Sequence, residues 1–144
     1  MGQMPPVQQQ FVISTRGPGL YEFTDLVANW IAHQRMTEGL LTLIVQHTSA
    51  SLLIQENADP DVQRDLRAFF ARLVPSCDDP QMSYLTHTQE GADDMPAHIK
   101  AAMMPVSLSI PVAQGRMCLG TWQGIYLFEH RTSPHSRRVV AHFA

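Results

Sequence analysis

The stretch that most constrains the fold runs from Gly39 to Asp61 and reads GLLTLIVQHTSASLLIQENADPD. Its first part alternates, with Leu41, Leu43 and Val45 on one parity and partly apolar residues between them. This is the period of a β-strand whose two faces are both at least partly covered. We therefore predict a central strand here.

Side chains that can ligate a metal or transfer a proton follow this strand. His47 continues the parity of Val45, so its imidazole is expected to leave the strand end on the inward face. The next residues are compact and let a ligand or another backbone come close: Thr48, Ser49 and Ala50. After a second apolar strand through Leu52 and Ile54, four oxygen-bearing side chains follow: Glu56, Asn57, Asp59 and Asp61. Two strands are thus expected to bring a histidine and a carboxylate into one neighbourhood.

The other segments predict a mixed fold. Asp59 as N-cap and Pro60 in the first turn predict an amphipathic helix over residues 60–73, and Asp94 with Pro96 predicts another that reaches about Met103. A further helix is expected after Thr24. The other predicted strands are residues 7–15, 20–23, 106–112, 117–129 and 138–143. This order of elements is typical of an α+β fold built on antiparallel pairs.

Composition limits the class of protein. The chain has 144 residues, 44% hydrophobic and 16% charged, so we predict a single domain over residues 1–144. The net charge is -3 and Lys100 is the only lysine, which argues against nucleic acid as a partner. No apolar run or leader suggests a membrane partner, so we expect a cytoplasmic protein.

Three of the seven histidines stand near carboxylates or small residues: His47, His87 and His98. Three imidazoles and a carboxylate suffice to ligate zinc or a similar divalent ion with one position open. Asp93, Asp94 and Glu56 are the candidate carboxylates. The alternative is that each histidine is a hydrogen-bonded packing or surface residue, and spacing alone leaves both interpretations open.

Two further features have both a chemical and a structural interpretation. Gly120 and Gly124 weaken the predicted strand around Trp122, unless a ligand needs the room or a bulge lets the indole pack. Arg131, Arg137 and Arg138 form a small basic cluster after Glu129, suited to phosphate or to a salt bridge between subunits.

Three segments together carry a family resemblance: HTSASLLIQENADPDVQRDL, EGADDMPAHIKAAM and LGTWQGIYLFE. In order and spacing they resemble the YjbQ family, small proteins described as secondary thiamine-phosphate synthases. The resemblance implies an α+β domain of two packed, mainly antiparallel β-sheets with two to three helices, assembled as a homotrimer. It also implies a divalent metal ion, which we expect to be zinc, held by His47, His87 and His98.

The resemblance implies a transferase reaction that joins a pyrimidine diphosphate to a thiazole phosphate and releases pyrophosphate. His47 and His98 would act catalytically through the metal, with Glu56 as acid or base. The expected substrate contacts are Ser49, Asn57, Thr121, Trp122, Gln123 and Arg137. The alternative function is metal-dependent binding of a small phosphorylated metabolite, or phosphoester handling, because the sequence has no aspartate-rich diphosphate motif and no glycine-rich phosphate loop.

The sequence departs from the family pattern after Glu129. Family members often continue there with an acidic residue, glycine, proline and arginine, whereas this chain has His130, Arg131 and Thr132. Arg137 is therefore the better match for the family's arginine.

Overall fold

A computed structural model describes residues 4–144 and contains eight strands, three α-helices and one short 3-10 helix. The strands are β1 Val7–Thr15, β2 Gly19–Glu22, β3 Gly39–Val45, β4 Ala50–Glu56, β5 Ser107–Ala113, β6 Arg116–Met117, β7 Gln123–Glu129 and β8 His135–Phe143. The α-helices are α1 Thr24–Ala32, α2 Pro60–Leu73 and α3 Asp94–Met103, and the 3-10 helix is Pro80–Met82.

The strands form two antiparallel sheets. The larger has the order β1-β8-β3-β5-β6, and the smaller has the order β2-β7-β4. Side chains of both sheets meet in one hydrophobic core, which includes Leu41 and Leu43 from the larger sheet and Leu52, Ile125 and Leu127 from the smaller. The predicted α+β fold with two packed, mainly antiparallel sheets is confirmed.

The alternation that predicted the central strand is confirmed by burial. Leu41 and Leu43 are fully buried and Val45 is nearly so, whereas Ile44 between them is 45% exposed. Because side chains of a strand alternate between its faces, this parity fixes which face of β3 contacts the core.

The strand β7 is covered on both faces. Ile125 and Leu127 point into the core, and Phe128 on the other face meets Phe70 of α2 in an edge-to-face contact, with ring centroids 5.8 Å apart. The predicted N-cap of α2 is present, since the Asp59 carboxylate accepts a hydrogen bond from the Asp61 amide at 2.9 Å.

The helix α2 lies on the smaller sheet but buries little of its apolar stripe. None of its residues is fully buried, and Phe69 and Leu73 are 57% and 50% exposed. A single chain therefore leaves part of this stripe in contact with solvent.

The prediction of one long strand over residues 117–129 is wrong, because residues 118–122 lie outside the strands. The Gly120 amide donates to the Gln123 side-chain oxygen at 2.8 Å, and the Gln123 amide donates to the Gly120 carbonyl at 3.1 Å. This pair of bonds closes a turn that separates β6 from β7. The indole of Trp122 in this turn is 63% exposed, so it is not packed as a bulge would require.

Candidate metal centre

The helix α3 places a carboxylate and an imidazole on one face. Asp94 and His98 are four residues apart, so their side chains lie one helical turn from each other. His87 approaches from the loop before α3. One possible ligand atom from each of the three side chains lies within 4.8 Å of the others.

The ring nitrogens converge on one carboxylate oxygen. Asp94 Oδ2 is 2.8 Å from His87 Nε2 and 3.2 Å from His98 Nε2. On the other side of the His98 ring, Nδ1 lies 3.2 Å from the Thr48 carbonyl oxygen. A carbonyl only accepts, so Nδ1 of His98 carries a proton, and Nε2 is the ring nitrogen that faces the Asp94 carboxylate.

Arginine fixes the remaining oxygen of this carboxylate. Arg131 Nη1 donates to Asp94 Oδ1 at 2.8 Å, and Arg131 Nε donates to Asp93 Oδ2 at 2.8 Å. Burial opposes ionisation of both carboxyls, but hydrogen bonds from His87 and Arg131 outweigh it, so the pKa of Asp94 is lowered and that of Asp93 falls to about 2. Asp94 is therefore an ionised, oriented potential ligand.

This donor set suits a divalent metal. Two imidazoles and one carboxylate form the protein ligand set of several catalytic zinc sites, with a fourth position left for water or substrate. A lone pair on His98 Nε2 and a carboxylate oxygen 3.2 Å apart repel each other unless a cation or proton lies between them. The bonds to Thr48 and Arg131 are the kind of outer contacts that orient metal ligands.

His47, predicted as a third imidazole ligand, has a different partner. Its Nε2 accepts a hydrogen bond from the Arg138 amide at 2.8 Å, at the junction of β3 and β8. Burial and the charges of Arg137 and Arg138 lower its pKa, so the ring is neutral at pH 7. In this arrangement the Nε2 lone pair is already used.

Ser49 and Arg137, predicted to bind substrate, belong to a buried ion-pair group. Arg137 is 3% exposed; its Nε donates to Glu129 Oε1 at 2.7 Å, its Nη2 contacts Glu129 Oε2, and its Nη2 also donates to Ser49 Oγ at 2.9 Å. Glu129 also accepts from Thr15 Oγ1 and from two backbone amides. Burial alone would raise the pKa of Glu129, but the hydrogen bonds from these donors outweigh the effect of burial, so the pKa is lowered overall. Glu129 was not among the predicted site residues.

The other predicted site residues lie at the opposite end of β4. In the register of the smaller sheet, Ala50 pairs with Glu129, whereas Glu56 pairs with Gln123. At about 3.3 Å per residue, the six-residue separation is roughly 20 Å. Hydrogen bonds connect the residues at this end of β4. The backbone amide of Asn57 donates to the Trp122 carbonyl at 2.9 Å, and the side-chain Nδ2 of Asn57 donates to Glu22 at 3.1 Å.

One chain therefore brings His87, Asp94 and His98 together but not the predicted catalytic set of His47, His98 and Glu56. Four of the expected substrate residues lie at the same end of β4 as Glu56: Asn57, Thr121, Trp122 and Gln123. The spacing of Asp94 and His98 was the sequence signal for the cluster that does form.

Comparison with known proteins agrees with this fold. Residues 9–144 match the sequence model of a family described as UPF0047 protein YjbQ-like. The chain belongs to the YjbQ-like UPF0047 family. Among relatives, it is 50% identical to the UPF0047 protein sll1880 of Synechocystis, over 94% of this chain and 89% of that protein. It is 46% identical to UPF0047 protein YjbQ of Escherichia coli O157:H7, over 93% and 94% of the two chains.

The chain also resembles solved structures in its three-dimensional fold. A YjbQ/UPF0047 family protein from Clostridium acetobutylicum superposes with a TM-score of 0.82 at 31% identity, over 94% of this chain and 99% of that one. A hypothetical protein from Aeropyrum pernix gives a TM-score of 0.84 at 27% identity, over 96% and 98%. Within residues 4–144, no helix has the length and hydropathy needed to cross a bilayer.

His130 is a buried polar residue that was not among the predicted site residues. It is 2% exposed, and its Nε2 lies 2.9 Å from Ser51 Oγ. Its Nδ1 has no hydrogen-bond partner in residues 4–144. Burial and the charge of Lys100 lower its pKa to about 3, outweighing the opposite effect of Glu129.

This pKa predicts acid sensitivity. Below pH 6.5 the unfolded chain protonates His130 while the folded chain does not until about pH 3, so stability falls as pH falls through that window. From pH 6.5 to 4.5 we expect protonation of His130 in the unfolded chain to lower the free energy of unfolding by about 2 kcal/mol. Urea unfolding of wild type and His130→Gln at both pH values measures this. Equal losses in the two proteins would contradict it.

Proposed function

We propose that this UPF0047 protein holds one divalent metal ion, expected to be zinc, through His87, Asp94 and His98, and uses it on a small phosphorylated metabolite. The observation that carries the proposal is the convergence of two imidazole Nε2 atoms on one Asp94 oxygen, at 2.8 and 3.2 Å. His47, the other imidazole named for the metal by the family resemblance, is replaced by Asp94 in this proposal because its Nε2 is already bonded.

A bound divalent ion would supply a Lewis acid for a phosphate oxygen or for water. Neighbouring residues of this chain hold the proposed metal ligands in place. The Thr48 carbonyl sets the His98 tautomer, and Arg131 keeps Asp94 ionised and oriented. His87 is 46% exposed, so one side of the cluster is open to an incoming ligand.

Thiamine-phosphate synthesis is the first reaction we propose to test, because the family resemblance implies it. Glu56 as acid or base beside the metal would require a second copy of the chain, since Glu56 lies at the far end of β4. We propose the homotrimer for the same reason, and the exposed Phe69 and Leu73 of α2 offer apolar surface for such contacts. Light scattering at micromolar concentration distinguishes a trimer from a monomer.

Steady-state kinetics with the two thiamine precursors tests the reaction. Wild type is compared with His98→Ala, Glu56→Gln and the control His33→Ala, which alters an exposed histidine of another region. A synthase should lose about 100-fold or more in kcat/KM in the first two variants, or about 2.7 kcal/mol of transition-state stabilisation.

If wild type barely exceeds the uncatalysed rate and all variants match it, the synthase proposal fails. The broader proposal is then tested by thermal stabilisation with phosphorylated metabolites, with and without zinc. Stabilisation that needs the metal supports it, and a set of metabolites that gives none contradicts it.

A further inference from the structure

A cavity of ≈ 210 Å³ lies beside the candidate metal centre, between α2, α3 and the end of β7. Phe70 from α2, Lys100 from α3 and His130 after β7 are among its lining residues, whereas the three candidate metal ligands are not. The volume is below the roughly 300–1,000 Å³ of pockets for drug-sized ligands. A single ring with one substituent is the size of ligand that suits it.

One wall of the cavity is aromatic. Phe70 and Phe128 meet edge to face with centroids 5.8 Å apart, and Phe128 contacts the His130 ring with centroids 4.7 Å apart. Faces and edges of aromatic rings favour contact with a further flat ring.

The charged groups around the cavity are unbalanced. Its two acidic residues already pair with arginines: Asp93 with Arg131 and Glu129 with Arg137. Its two cationic residues, Arg67 and Lys100, form no salt bridge with any carboxylate of residues 4–144. The excess charge facing the cavity is therefore positive, which favours an anion.

A buried ring nitrogen is also without a partner. His130 lines the cavity, is 2% exposed, and leaves Nδ1 without a partner in the described chain. If Ser51 donates to Nε2, then Nδ1 carries the ring proton and can donate to a ligand oxygen. A buried polar atom without a partner costs free energy that a bound oxygen would recover.

We propose that this cavity is a second ligand site, for a monocyclic organic anion whose carboxylate or phosphate meets Lys100 and Arg67 and whose ring contacts Phe70 and Phe128. The site needs no metal, so it goes beyond the proposed function and stands or falls separately.

The test titrates the metal-free protein with benzoate, phenyl phosphate and the neutral isostere benzamide, followed by calorimetry and by NMR shifts of the backbone amides. We expect an anion to bind at least about tenfold more tightly than benzamide, with the largest shifts at Lys100, Phe128 and His130. Whichever of benzoate and phenyl phosphate binds more tightly shows whether the site prefers a carboxylate or a phosphate.

Lys100→Met should weaken binding of the anion by at least about tenfold, while the control Arg72→Met, an exposed cation on α2 outside this cavity, should not. Arg67→Met, whose side chain is exposed, repeats the test without disturbing a packed residue. Zinc affinity should be unchanged in all three. No binding by any probe, benzamide binding as tightly as the anions, or wild-type affinity in both Lys100→Met and Arg67→Met would overturn the proposal.

Discussion

His98→Ala is expected to lower the affinity for zinc by more than about 100-fold, because loss of an outer-shell contact alone costs 10–100-fold and this change removes a ligand. Of the two imidazoles, only that of His87 would then face the Asp94 carboxylate. Zinc titration against a competing chelator measures the change. The control His33→Ala removes an exposed histidine whose Nδ1 contacts the Asn29 carbonyl, and should leave zinc affinity unchanged.

His47→Ala separates the two ligand sets. With Nε2 already accepting from the Arg138 amide, His47 should matter less than about tenfold for zinc affinity. A loss as large as that of His98→Ala would instead support the set of three histidines that the family resemblance implies. Wild-type affinity in His98→Ala would contradict both sets.

Arg137→Met is expected to destabilise the fold by about 3–5 kcal/mol, because it leaves the carboxylate of Glu129 buried without its cation. For a chain of this length that corresponds to a fall in Tm of about 10–20 °C. Thermal and urea unfolding measure it. The neighbouring Arg138→Met is the matched control, because Arg138 is exposed and contributes a backbone amide rather than its guanidinium.

A double variant isolates the charge. Adding Glu129→Gln to Arg137→Met removes the unpaired carboxylate, so part of the lost stability should return. If Arg137→Met unfolds like Arg138→Met, or if the double variant is less stable than Arg137→Met alone, the ion pair does not have the role that its burial indicates.

The sequence correctly predicted those features that depend only on neighbouring residues, namely the alternation of a strand, the start of a helix and the spacing along a helix. The parity of Leu41 and Leu43 located the core face of β3, since a strand with one buried face tolerates no shift of register. Asp59 and Pro60 located the start of α2, since the first amides of a helix need an acceptor. The spacing of Asp94 and His98 likewise placed both side chains on one face of α3.

Long-range contacts explain what sequence reasoning missed. Glu129 meets Thr15, 114 residues away, only because β1 pairs with β8 and β2 pairs with β7. Glu56 was placed near His47 because the two strands follow each other, but the six-residue separation along β4 carries Glu56 to the opposite end of the sheet, roughly 20 Å from Ala50. The contact of Glu129 with Thr15 cannot be read from spacing, because it depends on how distant strands pair, whereas the position of Glu56 follows from the length of β4.

Anomalous scattering from crystals grown with zinc would show which side chains bind the metal. We expect one strong peak at the zinc edge, within about 2.0–2.2 Å of His87 Nε2, His98 Nε2 and an Asp94 oxygen. A peak bound by His47, or no peak near α3 in crystals soaked to saturation, would contradict it.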